Sequence, residues 1–394
     1  MPWILLVLAA LCWYAAPAMA AEPLVEKYLH SGQLARGEQV MESALAAAPA
    51  DDQLRFGLAA LQLVRGVERL GQALYEYGCL SENSDAPFLR IPVPRNPDPS
   101  PITYFAFRRL LDAFRSDLAT VESTLAEIKS DEVKLPLRLA DIRLDMTGKG
   151  EAGERFIEVL KKLLGPSFRL PEDNPDFLIC FDRGDVAWLR AYCHLLMGSI
   201  DMSLSCDSEA AFELWEKRQF ANAKVSSEKT KEQQADLNIV KVTEPARMGH
   251  FRRHVLKVCE LNRETWRYIR AETDDDHEWL PNPKQTGVLR MPVTDEMIDV
   301  WLHMVQEFEA LFDGKKAIPA WVVQFLSPAT KKKLNLKAYF DNPPDEMNWK
   351  KVQSVGIREV YLDDTLPEID INAFVSVFQV FQNTLAVGYA AWFN

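Results

Sequence analysis

The chain has 394 residues, of which 48% are hydrophobic, and a net charge of −12 at pH 7. This length suits one large domain or two ordinary ones, and the hydrophobic fraction supports a real core. A surface with this excess of negative charge repels a phosphate backbone, so we do not expect nucleic acid as a partner.

The first residues predict export. Residues 2–16 are uniformly apolar, and Ala18-Met19-Ala20 follows them with a small residue on each side of Met19. An apolar segment before such a site is typical of a secretory signal peptide. We therefore predict a signal peptide over 1–20, cleavage after Ala20, a periplasmic or secreted protein, and no membrane span in the mature chain. An uncleaved N-terminal anchor is the alternative, because no Lys or Arg precedes the apolar segment and its length approaches that of a membrane span.

Residues 24–78 repeat small and large side chains with a period of 34. The pairs separated by 34 positions are Leu24 and Leu58, Gly32 and Gly66, Gly37 and Gly71, Met41 and Tyr75, and Ala44 and Gly78. Small residues let two helices approach closely, and the larger ones fill the space between them. This period resembles the tetratricopeptide repeat, whose signature residue types fall here at Leu24, Tyr28, Gly32, Ala44 and Pro49.

The resemblance implies four antiparallel helices, with Gly32 and Gly66 in equivalent turns, and a concave surface that binds a protein partner. The alternative is two ordinary amphipathic hairpins whose period is coincidental.

The remaining chain shows mainly helical spacing of apolar residues. Helices are predicted over 104–128, 156–163, 185–206, 208–220, 248–270, 294–311 and 374–392, with a short one starting at Ser327 and short strands within 133–146 and over 355–362. The helix over 185–206 is apolar almost all round, which predicts a central position. The predicted fold is therefore mostly α, with tetratricopeptide-like hairpins over 21–80 followed by a larger helical domain with a few short strands.

A polar segment divides that helical part. Residues 222–246 are a candidate linker, because 226–236 has almost no apolar face. It would separate a region over 81–221, which also contains the short strands, from a C-terminal helical region over 247–394.

Five cysteines remain after the predicted cleavage, and none forms a C-x-x-C pair: Cys79, Cys180, Cys193, Cys206 and Cys259. We predict buried free thiols that act as small hydrophobic side chains. One disulfide is the alternative in an oxidising compartment.

A calcium-like loop is one candidate site. Asp145, Thr147 and Gly150 occupy the first, third and sixth places of an EF-hand-like pattern. Lys149 and Phe156, however, stand where that pattern needs carboxylates. The same segment matches G-x-G-x-x-G but lacks the alternating strands of a dinucleotide fold. A Gly-rich turn before a helix is the simpler interpretation, and we expect no organic cofactor.

A divalent metal site is the other candidate. His250 and His254 are four residues apart on a predicted helix, and an acidic segment follows later in the chain. Imidazoles and carboxylates together could bind a divalent metal, although Phe251 stands where a metalloprotease needs Glu. The proposed ligands are His250, His254, Asp274, Asp276, His277 and Glu278.

We interpret the chain as an exported, non-enzymatic protein-binding or scaffold protein. The alternative is an exported enzyme or metal-binding protein that uses the two histidines with the 274–278 segment. His194 is interpreted as a hydrogen-bonded core histidine. Trp279 and Trp349 fall in predicted loops and could be exposed contact residues.

Overall fold

The computed structural model of the chain describes residues 22–83, 91–150, 153–164, 169–222, 239–381 and 392–393. The fold is mostly helical, as the sequence predicts. The helices of the described residues are α1 (Leu24–Ser31), α2 (Leu34–Ala47), α3 (Asp52–Glu76), α4 (Tyr104–Ala126), α5 (Phe156–Leu164), α6 (Arg183–Leu204), α7 (Glu209–Gln219), α8 (Pro245–Ala271), α9 (Asp295–Phe312), α10 (Ala320–Leu326), α11 (Leu336–Asp341), α12 (Trp349–Ser354) and α13 (Ile371–Val380). Among them, none is long and apolar enough to cross a membrane.

Short antiparallel strands join these helices in three small sheets. The strands are β1 (Leu135–Arg138), β2 (Arg143–Leu144), β3 (Glu154–Arg155), β4 (Leu178–Phe181), β5 (Cys206–Asp207), β6 (Ile239–Val242) and β7 (Glu346–Asn348). Strand β1 pairs with β4, β2 pairs with β3, and β6 lies between β5 and β7. The alternation predicted within 133–146 is confirmed, with a 3-10 turn over Leu139–Asp141 between the two strands.

The N-terminal region contains three helices rather than the four that we expected. Gly32 ends α1 in the left-handed conformation, with φ of 68°. Gly66, by contrast, lies inside the continuous helix α3, where it faces Asp117 of α4. The prediction of equivalent turns at Gly32 and Gly66 is therefore wrong, because no turn interrupts α3. The resemblance to the tetratricopeptide repeat stays an interpretation.

The core has two main parts. Helices α1 to α4 and α6 pack with β1 around one set of buried residues that includes Leu61, Leu118 and Ile200. Helices α8, α9 and α13 enclose a second set around the fully buried Trp266. Helix α6 packs against both α4 and α8, which agrees with the predicted central position, although Leu195 on this helix is 42% exposed.

Several boundaries differ from the prediction. Cys206 lies in β5 instead of in the preceding helix. Ser327 follows the end of α10 instead of starting a helix. The region over 355–362 contains a 3-10 turn, Glu359–Tyr361, and no strand. Most of the candidate linker, 223–238, lies outside the described residues, as do the predicted signal peptide over 1–20 and the end of the C-terminal helix over 382–391.

The five described cysteines are free and buried, as predicted.

Candidate functional site: an apolar cavity beside a carboxyl cluster

An apolar cavity of about 300 Å³ lies between α3, the small sheets and the start of α6. Its wall exposes no polar surface, although one acidic residue, Asp185, belongs to it. The lining residues are Leu29, Phe56, Ala60, Leu63, Val64, Val67, Leu135, Leu137, Leu139, Ile142, Leu144, Phe156, Phe181, Asp185, Trp188, Leu189 and Trp279.

Local periodicity explains why these side chains share one space. Ala60, Leu63, Val64 and Val67 are spaced as i, i+3, i+4 and i+7 on α3, so they form one face of that helix. All four are only half-buried, even though they are apolar and belong to the N-terminal core. In β1, alternate residues of the strand point to the cavity. Most of the cavity wall is thus built by regular elements, and Ile142 and Trp279 join it from connecting segments.

Asp185 brings a buried acid to the cavity. It is the third residue of α6 and completes a capping box, in which its Oδ2 accepts a hydrogen bond of 3.0 Å from the Asp182 N–H. Its Oδ1 is buried and has no hydrogen-bond partner. Burial, and then the charge of Asp182, raise the pKa of Asp185 well above its usual 3.8. Burial therefore favours the neutral carboxylic acid over the carboxylate at this position.

Trp279 supplies a second buried polar atom without a partner, its Nε1. Its ring packs edge-on against Trp188 at 5.7 Å between centroids. The Trp188 Nε1 donates to the carbonyl oxygen of Trp392 at 2.7 Å. The expectation that Trp279 is an exposed contact residue is wrong, because its loop folds back over the start of α6. Trp349 is 45% exposed, as expected.

A cluster of three carboxyl groups lies next to Asp185: Asp182, Glu272 and Glu278, each with an oxygen within 4.8 Å of the others. Asp182 caps α6, and its Oδ1 accepts a hydrogen bond of 2.7 Å from the Gly184 N–H. Burial, and then the charge of Asp182, raise the pKa of Glu272 to about 10. Burial likewise raises the pKa of Glu278 to about 7. These oxygens are the donor set that could hold a divalent cation.

Part of the metal set proposed from the sequence lies near this cluster. Glu278 belongs to it, and Asp276 and His277 come together with Cys180 in a neighbouring group. Asp274 is separately paired with Lys134. Burial, and then Asp276, raise the pKa of the Cys180 thiol to about 12, which disfavours the thiolate that a metal needs.

His250 and His254 do not join the acidic segment. Both lie in the first half of α8, whereas the segment begins after α8 ends at Ala271. At 1.5 Å per residue, His254 is about 25 Å from that end. The proposed six-residue metal site is therefore not formed. Instead, His254 contacts His194 of α6, with 2.7 Å between their Nδ1 atoms, so His194 is hydrogen-bonded as expected.

The calcium-like loop forms a closed turn. The Asp145 carboxylate accepts hydrogen bonds from the backbone N–H groups of Thr147, Gly148 and Gly150, at 2.7–3.0 Å. Burial raises its pKa, but these hydrogen bonds outweigh burial, and the pKa falls below 3.8. Lys149 lies over the ring of Tyr75. The oxygens that calcium would need are occupied by the turn itself, which fits the simpler interpretation.

The sequence reasoning missed Asp182, Asp185 and Glu272 as site residues. The signal for the first was present, since an Asp directly before a strongly apolar helix is typical of an N-cap. An acid at the third position of such a helix is the second half of a capping box. Nothing local marks Glu272, because it meets Asp182 only through the packing of α8 against α6.

Comparisons of this chain with protein-family models, with curated proteins and with solved structures give no match.

Proposed function

We propose that the protein acts by binding, without catalysis of its own, and that the apolar cavity takes a small hydrophobic molecule. The observation that carries this proposal is the wall of the cavity, which exposes no polar surface. An apolar cavity of about 150 Å³ stays dry and binds benzene. The present cavity has about 300 Å³, the lower end of the range for ligand pockets.

Two buried polar atoms without hydrogen-bond partners lie next to the cavity, Asp185 Oδ1 and Trp279 Nε1. Neither exposes surface to it, so a ligand in the cavity contacts apolar side chains. An ionised ligand is disfavoured, since its charge would have to leave water for an apolar wall.

Filling the cavity tests this proposal. Ala60→Phe places a ring in the space while keeping the helical face of α3. We expect purified wild-type protein to bind the neutral fluorescent amine N-phenyl-1-naphthylamine saturably. The affinity of the variant for this amine should be lower by about tenfold or more. Ala119→Phe is the matched control, because Ala119 is exposed on α4. Its affinity should equal that of wild type.

Two results would contradict the cavity as the binding site. One is a wild-type titration that does not saturate. The other is an equal loss of affinity in Ala60→Phe and Ala119→Phe. Circular dichroism and melting curves of each variant would show that the fold is intact, so a loss of binding could be assigned to the filled space.

A protein partner is our second proposal, and exposed aromatic residues favour it. Trp321 and Phe325 of α10 are 55% and 80% exposed, and Leu326 beside them is 51% exposed. Aromatic side chains of this kind are enriched at interfaces. We expect Phe325→Ser to leave the melting temperature unchanged and to abolish the chemical cross-link that the wild-type protein forms with its protein partner. Glu42→Gln, on the exposed side of α2, should leave that cross-link intact. A cross-link that survives Phe325→Ser would rule out this surface.

A further inference from the structure

A second cleft, of about 570 Å³, lies between α4, α6 and α8. All of its lining residues are Arg, Lys, Glu or His: Arg115, Glu122, Arg190, His194, His250, Arg253, His254 and Lys257. The last four recur at i, i+3, i+4 and i+7 and therefore form one stripe along α8. This cleft is separate from the apolar cavity and shares no lining residue with it.

Each of the two acids at the cleft already accepts hydrogen bonds from an arginine. Asp201 is fully buried beneath the cleft, and Arg115 donates hydrogen bonds of 2.7 and 2.9 Å to the two carboxylate oxygens of Asp201. Glu122 accepts two hydrogen bonds from Arg190, at 3.0 and 2.8 Å. Burial raises the pKa of both acids, but these and other hydrogen bonds outweigh it and lower each to about 2. Both acids are thus ionised and paired.

The remaining cations give the cleft an excess of positive charge. Four Arg and Lys side chains line it, against Glu122 on the wall and Asp201 below, which leaves two positive charges. Arg253 is exposed and makes no ion pair within the described part of the chain. Lys257 pairs with Glu260 on its outer side, and that pair is exposed to solvent and therefore weak. The rest of the molecule is acidic, so this excess is a local reversal of charge.

Two histidines of the cleft contact each other and the two acids. His194 and His254 touch through their Nδ1 atoms, while their Nε2 atoms lie 3.4 Å from Glu122 and Asp201, respectively. The Nε2 of His194 is buried and has no hydrogen-bond partner among the described residues.

We propose that this cleft binds a phosphate-type dianion, with Arg253, His250 and Lys257 as its ligands. A phosphate monoester carries a charge of about −1.5 to −2 and three acceptor oxygens, which match the two excess charges and the donors of the stripe. A guanidinium suits such an oxyanion because it donates in a fork. A metal cation is disfavoured here by the arginines. This function goes beyond the binding of an apolar ligand.

Calorimetric titration at constant ionic strength tests the cleft. The probes are inorganic phosphate, glycerol phosphate, and phosphatidylcholine vesicles that contain phosphatidic acid. We expect saturable binding that Arg253→Ala weakens about tenfold or more, as for the loss of a charged hydrogen bond. Arg267→Ala is the matched control, because Arg267 is exposed on the same helix with 65% of its side chain accessible, and it should bind like wild type.

Each outcome bears on the proposal. Saturation by either soluble phosphate identifies a free phosphate compound, and saturation by the vesicles alone identifies a lipid headgroup; both support the cleft. Absence of saturation with all three probes overturns it. So does equal affinity in Arg253→Ala and wild type, or equal competition by chloride, which would indicate general screening. Melting curves of Arg253→Ala and Arg267→Ala verify that both variants remain folded.

Discussion

Four acids stand close together at the start of α6, and burial raises the pKa of three of them, Asp185, Glu272 and Glu278. The N–H groups of the helix N-terminus donate to the fourth, Asp182. Glu272 shares its surroundings and cannot ionise as well without placing two negative charges side by side. Burial, and then this neighbouring charge, raise the pKa of Glu272 to about 10 and that of Asp185 well above its usual 3.8, which favours the neutral form of both.

The raised pKa of Glu272 predicts a pH-dependent stability. Its carboxyl stays neutral in the folded protein up to pH about 10 but ionises near pH 4.5 in the unfolded chain, so the stability that it contributes is present below pH about 4.5 and is lost as the pH rises toward 10. Glu272→Gln removes this titration. By urea denaturation, we expect the variant to exceed wild type by about 1 kcal/mol or more at pH 8 and to equal it at pH 4.

The exposed Glu42 provides the control for that experiment. Glu42→Gln changes the same chemical group on the outer side of α2 and should leave the stability unchanged at both pH values. If Glu272→Gln differs from wild type by the same amount at pH 4 and pH 8, Glu272 does not hold its proton in the folded state.

At the scale of the elements, the long helices could be predicted from the sequence. The elements that pack against each helix could not. The spacing of apolar residues predicts α4, α8 and α9, whose bounds agree closely with the structure. Strand β4, with four residues, is too short to show a period. The cavity and the cleft could not be predicted either, because each takes its walls from elements that are far apart in the chain. Asp182 could be read as a helix cap, but its contact with Glu272 depends on packing.

Close helix approach, which the small residues predicted, can be tested at Gly37 of α2. A Cβ at this position would lie 2.6 Å from the Cβ of Tyr28 and 2.7 Å from a methyl carbon of Leu61. Gly37→Ala should therefore cost about 1–3 kcal/mol of stability by overpacking. Gly249 in α8 is the control, since its nearest neighbour would be 3.6 Å away, and Gly249→Ala should stabilise by about 0.5–1 kcal/mol. Equal effects at both sites would refute the close approach.

At the scale of the whole molecule, the thiols are compatible with an oxidising compartment. Each of the five described cysteines is buried and free. Burial raises the pKa of Cys79 to about 11 and that of Cys193 and Cys259 to about 12. A thiol reacts as its thiolate, so these side chains resist oxidation while the fold is intact. The proposed export is therefore compatible with five free thiols.

Counting thiols tests the proposed export. The chain has six cysteines, and cleavage after Ala20 removes Cys12, so the exported protein should show five thiols when unfolded in guanidinium and almost none with Ellman's reagent when native. Its intact mass should correspond to a chain that begins at Ala21. A protein in the membrane fraction that has six thiols and the mass of the full 44.8 kDa chain would contradict cleavage. It would support the uncleaved N-terminal anchor instead. Three thiols in a protein that begins at Ala21 would instead reveal a disulfide and contradict the five free cysteines of the structure.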